Sequence, residues 1–85
     1  MAGRNERIWW RYILRDKGKI VYFGITSREF PESRIQQHAD DGKRFTTVNI
    51  IKPRVTEAGA RKWERDKIES YKRSHRGRPP RYNRI

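Results

Sequence analysis

Apolar residues fall in three short runs and one helical stripe. Residues 7–15, RIWWRYILR, are rich in aromatic and β-branched types, which suits a strand. DKGK at 16–19 is a turn signal, with Gly18 free to take positive φ. Residues 20–25, IVYFGI, predict the returning strand of a hairpin. Both runs are more continuous than alternating, so helices are expected over one face of that hairpin. Pro31 suits the first turn of a helix, which the pattern extends over 31–39 and stops at the DDG of 40–42. FTTVNII at 45–51 predicts a third strand, ended by Pro53. Thr56 is an N-cap candidate, with Glu57 in the favourable first turn of a long helix reaching residue 72 or 73. Gly77, Pro79 and Pro80 forbid helix in the stretch that follows. The expected fold class is therefore α+β. It has a three-stranded antiparallel sheet flanked by helices, in the order β-β-α-β-α, plus an extended C-terminal tail. A chain of this length suits one domain over 1–85, with 1–6 a loose arm and 74–85 a basic tail.

Charge changes the picture most. Twenty-two Lys and Arg stand against ten Asp and Glu, a net +12 at pH 7. So dense a positive charge repels itself in the folded state and implies a polyanionic partner, nucleic acid first. A membrane is not expected as a partner. No basic stretch has a clean apolar face opposite, and no apolar run nears the roughly 20 residues that span a bilayer. The opening MAGRNERIWW lacks the apolar segment of a signal peptide. With no Cys, thiolate metal sites and a Cys nucleophile are excluded. The same absence fits a cytoplasmic protein, and a prokaryotic or phage-infected host cell is the expected setting. Three Trp, four Tyr and three Phe enlarge a core that a short chain keeps modest.

Some polar residues sit where packing alone gives them no reason to be. Ala60, Glu64, Ile68 and Tyr71 share one stripe of the long helix. Glu64, a carboxylate among apolar neighbours, is either a rim residue paired with an arginine or a ligand for a hard cation. Arg34 and His38, four apart, share a face of the shorter helix. They are either a solvated basic face or a guanidinium for phosphate beside an imidazole for proton transfer. Tyr12 and Tyr22 stand on opposite arms of the hairpin, about equally far from its turn. They are either a core aromatic pair or two phenols aimed at one place.

In order along the chain, WRY (10–12), YFG (22–24), RIQQH (34–38), ARKWERDKI (60–68) and PRYN (80–83) resemble the motifs of the GIY-YIG nuclease family. The first two stand for the family's name-giving tripeptides and keep both tyrosines and Gly24. The resemblance implies a metal-dependent DNA endonuclease, a phosphodiester hydrolase using one divalent cation, Mg²⁺ or Mn²⁺. It implies Glu64 as the metal ligand and Arg34 as the grip on the phosphate. Tyr12 is implied as base or water-orienting group with help from His38, Tyr22 as a partner in that network, and Asn83 as the residue tying the tail to the site by orienting Glu64 or water. Gly24 permits a close approach. Glu57 also carries a carboxylate, but its first-turn position gives it a sufficient role in the helix dipole. KRSHRGR at 72–78 is expected to be a flexible basic segment. Its Lys72, Arg73, Arg76 and Arg78, with Arg81 beyond, would track the DNA backbone beside Arg34. The alternative is a non-catalytic basic nucleic-acid-binding domain, which EDTA-sensitive nicking separates from a nuclease.

Overall fold

A computed structural model describes residues 6–83. Most of the expected arm and the last two positions of the tail therefore lie outside the described residues. The elements follow the expected order: β1 (Trp9–Asp16), β2 (Lys19–Thr26), α1 (Pro31–Asp40), β3 (Thr47–Val55) and α2 (Glu57–Ser74). The strands pair antiparallel in the order β2-β1-β3, so the tyrosine-bearing β1 is central. Lys17 and Gly18 join the hairpin with φ of 52° and 83°, the positive values that match strand twist. Pro31 opens α1, and the Thr56 hydroxyl accepts from Gly59 N at 3.1 Å to cap α2.

β3 differs from expectation. It runs through Pro53 to Val55 instead of ending at Ile51. The sheet order explains this, because β3 is an edge strand and Pro53 need not donate to a second neighbour. The register also jumps there. Trp9 faces Val55 while Arg11 faces Ile51, so residues 52–54 bulge out. Arg11 Nη2 donates to the Pro53 carbonyl at 3.0 Å and secures the bulge.

The helices also lie differently from expectation, one on each face of the hairpin. Side chains alternate along a strand. Tyr22 packs against His38 of α1, while its neighbour Phe23 packs edge-on against Trp63 and Tyr71 of α2. Tyr12 and Leu14 are fully buried on the α1 side. Val21, unpaired at a bulge opposite Leu14 and Arg15, joins their cluster with Ile35, Phe45, Ile50 and Tyr82 around it.

The KRSHRGR stretch is not an open flexible segment. Residues 72–74 complete α2, and Arg76 and Gly77 take left-handed φ of 57° and 80°. The amides of His75 and Gly77 donate to the Lys72 carbonyl, turning the chain back. The tail then runs beside β2, where Tyr82 N donates to the Val21 carbonyl at 2.9 Å.

Candidate active site

The hairpin register sets two phenols on one face. Tyr12 is opposite Gly24 and Tyr22 opposite Leu14, so the tyrosines are diagonal rather than direct partners. Their ring centroids are 6.0 Å apart. Gly24 is a steric requirement of this arrangement. A β-carbon there would stand 2.5 Å from the Tyr12 hydroxyl, inside van der Waals contact, so the Tyr12 ring lies where a side chain would be.

α1 supplies the next two groups. Arg34 and His38, one turn apart, both face the phenols. The Tyr12 hydroxyl and His38 Nε2 are 2.7 Å apart in a buried hydrogen bond, and the Tyr22 and His38 rings are 4.6 Å apart. His38 is 1% exposed, and its Nδ1 has no partner. Burial, then the charges of Arg34 and Lys43, lower the His38 pKa to about 4, with Asp41 opposing. The imidazole is therefore neutral near pH 7. Burial holds the Tyr12 phenol well above its ordinary value. A negative charge on Tyr22 would raise it further, and Arg34 opposes both effects. Tyr22 is raised for the same leading reason, with Arg34 lowering it and Glu64 raising it. Arg34 is thus the positive pole beside two phenols and a neutral imidazole.

Sequence reasoning missed how Arg34 is held. Gln37 Oε1 accepts from Arg34 Nη1 at 2.8 Å and from Arg28 Nη2 at 2.9 Å, bracing the two guanidiniums together. The i,i+3 spacing of Arg34 and Gln37 on one helix was the available signal.

Glu64 comes from α2, on the other side of the sheet, yet its carboxylate lies within electrostatic reach of Tyr22. It is half-buried, and burial raises its pKa against the charge of Arg61. It forms no ion pair among the described residues. Glu57, by contrast, accepts both Nε and Nη2 of Arg61, at 3.0 and 2.8 Å. Of the two carboxylates, Glu64 is the one left for a cation. No group of three or more His, Asp or Glu capable of holding a metal occurs among the described residues. A single hard oxygen donor still fits Mg²⁺ or Mn²⁺, since Mg²⁺ commonly keeps most of its waters and takes few protein ligands.

Asn83 stands apart from this cluster. Its Oδ1 accepts from Phe23 N at 2.8 Å and its Nδ2 donates to the Phe23 carbonyl at 2.9 Å. Both ends of the amide are engaged with the β2 backbone, and it makes no hydrogen bond to Glu64 or the phenols. What it fixes is the segment carrying Tyr22 and Gly24. Of the basic residues beyond α1, Lys72 sits 3.5 Å from Glu69, and Arg73, Arg76 and Arg78 are exposed. Arg81 lies over the Tyr82 ring, 4.0 Å from Asp16. They form a basic band outside the phenol cluster.

Two phenols, a neutral imidazole, a braced guanidinium and one carboxylate suit phosphoryl chemistry, with cationic binding of a phosphate and groups able to pass a proton. No curated protein and no solved structure matches the chain significantly. The family model of the GIY-YIG catalytic domain matches residues 8–78, a span holding both tyrosines, the Arg34–His38 helix and Glu64 and stopping short of Asn83. With that match covering most of its length, the chain belongs to the GIY-YIG catalytic domain family, a family of endonucleases.

Proposed function

We propose that this chain is a DNA endonuclease that hydrolyses phosphodiester bonds with one divalent cation held by Glu64. The observation that carries the reading is Glu64 itself, a half-buried carboxylate without an ion pair, within electrostatic reach of Tyr22 in the phenol–imidazole–guanidinium cluster. When bound, Mg²⁺ or Mn²⁺ supplies Lewis-acid stabilisation of charge on the phosphate and leaving oxygen.

The protein groups do the rest. Arg34 takes a non-bridging phosphate oxygen, its fork kept in place by Gln37. Tyr12 orients the attacking water and receives its proton while passing its own to His38 Nε2, along the 2.7 Å hydrogen bond. The water oxygen bonds to phosphorus, the bond to the leaving oxygen breaks, and the leaving oxygen takes a proton from solvent. The free protein opposes this transfer, because burial first, and then the charges of Arg34 and Lys43, disfavour a charged imidazole. An incoming phosphodiester brings the opposite charge, offsets the effect of Arg34 and Lys43, and makes His38 a better acceptor than in the free protein. Tyr22 lines the same cluster and shields it from bulk water.

DNA, a polyanion, is the substrate this charge balance suits. The exposed Arg73, Arg76, Arg78 and Arg81 extend the positive surface for backbone contact. The deciding experiment is nicking of supercoiled DNA by pure protein with Mg²⁺, with EDTA, and with Glu64→Gln. Cutting that needs Mg²⁺ and is lost in the variant supports the reading. A Glu64→Gln protein that cuts at the wild-type rate removes Glu64 as the ligand. Tight binding without cutting under any condition leaves a basic binding domain.

A further inference from the structure

On the face of the sheet away from the tyrosines, the hairpin end and the C-terminal half of α2 enclose a groove of about 710 Å³. Its floor is apolar, made by Ile13, Ile20 and Phe23. Arg15, Lys19, Lys67 and His75 ring it, and no carboxylate lines it. Arg15, Lys19 and Lys67 form no ion pair among the described residues, whereas Lys62 and Arg61 on the same helix each have an acidic partner. A second groove, of about 400 Å³, shares Tyr71, Ser74 and His75 with the first and adds Arg76 and Arg78. The two therefore join into one cationic track running off the end of α2.

The join is an aromatic platform. The Tyr71 and His75 rings lie 3.6 Å apart and 1° from parallel. Tyr71 is packed edge-on against Phe23 at 6.4 Å, so the lower ring is anchored. His75 Nδ1 meets the Tyr71 carbonyl at 2.8 Å, which fixes the upper ring although the residue is exposed. A rigid, exposed ring beside unpaired cations is the combination that holds unpaired bases and their phosphates.

We propose that this track binds single-stranded DNA flanking the bond to be cut, with phosphates on Arg15, Lys19 and Lys67 and a base stacked on His75. That the polymer is DNA rests on the function proposed above. That it is single-stranded rests on the track itself, because a duplex satisfies the cations but keeps its bases from the platform. The track and the phenol cluster occupy opposite faces, with the β1–β2 hairpin between them. A strand held here lies beyond the cleavage site and adds grip without entering it.

The test is binding of a fluorescent oligothymidylate and of a short blunt duplex, both in EDTA over a range of salt, by wild type, Lys19→Ala/Lys67→Ala and His75→Ala. All three positions are exposed, so the variants should fold, with circular dichroism as the check. The double variant should bind the oligomer about tenfold more weakly, with the salt slope reduced by about 1.4, two phosphates' worth. His75→Ala should lose about fivefold or more on the oligomer, keep its salt slope, and leave the blunt duplex unaffected. Unchanged oligomer affinity and slope in the double variant overturn the proposal. So does an equal loss on oligomer and duplex in His75→Ala. Because no cleavage is needed, the outcome is separable from the nuclease reading. A protein that never cuts but shows these losses keeps the track, and one that cuts without them loses it.

Discussion

The two faces of one small sheet are built on opposite plans. On the α1 face, the polar tips of Tyr12 and His38 are buried and bonded to each other, Gly24 makes room for a ring, and Arg34 is braced by Gln37. On the α2 face, Phe23 and Ile13 form an apolar floor and Arg15, Lys19 and Lys67 stand at the rim without acidic partners among the described residues. Neighbouring residues of β2 serve the two plans, Tyr22 and Gly24 on one side and Phe23 on the other. On the proposed function, a strand's period of two would keep the reacting groups, set in a dry environment, apart from the groups that bind DNA, which would stay hydrated until DNA arrives.

The largest break between the faces should come from Arg34→Ala. Arg34 is the positive pole of the α1 face and makes no contact with the α2 groove. Removing it should lower cleavage by about 10²–10³-fold, the cost of losing one preorganised charge-stabilising donor. Oligothymidylate affinity should hold. The measurement pair is single-turnover cleavage and binding in EDTA. If Arg34→Ala cuts normally, or loses oligomer affinity as heavily as the double lysine variant, the division between the faces is wrong.

Acid should break the same face from within. His38 has a folded pKa of about 4 against 6.5 for an ordinary imidazole. Between these values the unfolded chain binds more protons. The stabilisation from keeping His38 neutral is complete above about pH 6.5 and is lost as pH falls to about 4. The difference corresponds to about 3 kcal/mol. Urea midpoints should fall over that window in the wild type. His38→Gln should fall less steeply, since the carboxylates that also titrate are common to both proteins. Parallel slopes would show that His38 titrates normally. Cleavage should drop over the acid range as well, because proton transfer requires an unprotonated imidazole and Glu64 must be ionised.

Much of this architecture is legible in the sequence because local signals carry it. Pro31, Gly18 and Thr56 mark boundaries through their own backbone chemistry, and the Arg34–His38 spacing puts both on one helix face whatever else happens. What escapes is set by topology. Whether Pro53 ends a strand depends on whether that strand has one neighbour or two, and the sheet order decides that. Asn83 engages a backbone sixty positions away in the sequence, a relation no local pattern encodes. The groove draws Arg15 and Lys19 from the hairpin and Lys67 from α2, so its cations look like ordinary scattered charge until the chain closes. The exposed basic turn at Arg76 and Gly77 reads as loose because its left-handed φ values appear only once α2 stops.

A milder perturbation of the α1 face is Gly24→Ala. The added carbon meets the Tyr12 ring, which cannot move freely because it is fully buried and bonded to His38. Overpacking of this kind costs about 1–3 kcal/mol. The variant should melt lower and, below its transition, cut poorly because the Tyr12–His38 bond is displaced, while the α2 groove keeps its affinity for the oligomer. Thermal melts with cleavage at low temperature check it. Wild-type cleavage in a folded Gly24→Ala protein would mean the Tyr12 position is not critical.

The smallest effect should come from Asn83→Ala, and it tests whether the faces are independent at all. The amide of Asn83 holds Phe23 through its backbone only. Phe23 floors the groove, and its neighbours carry the phenol cluster, so this clamp supports both plans. β2 is an edge strand, so water can replace the lost partner, and the loss should be about 1 kcal/mol, or about 4–8 °C in melting temperature. Exchange of the Phe23 amide hydrogen should accelerate more than that of Ile13 in the central strand. If the clamp acts on both faces, cleavage and oligomer binding weaken together and by similar small factors. Loss of cleavage alone, with binding intact, would place Asn83 with the reacting groups and make the α1 face the only one that depends on the tail.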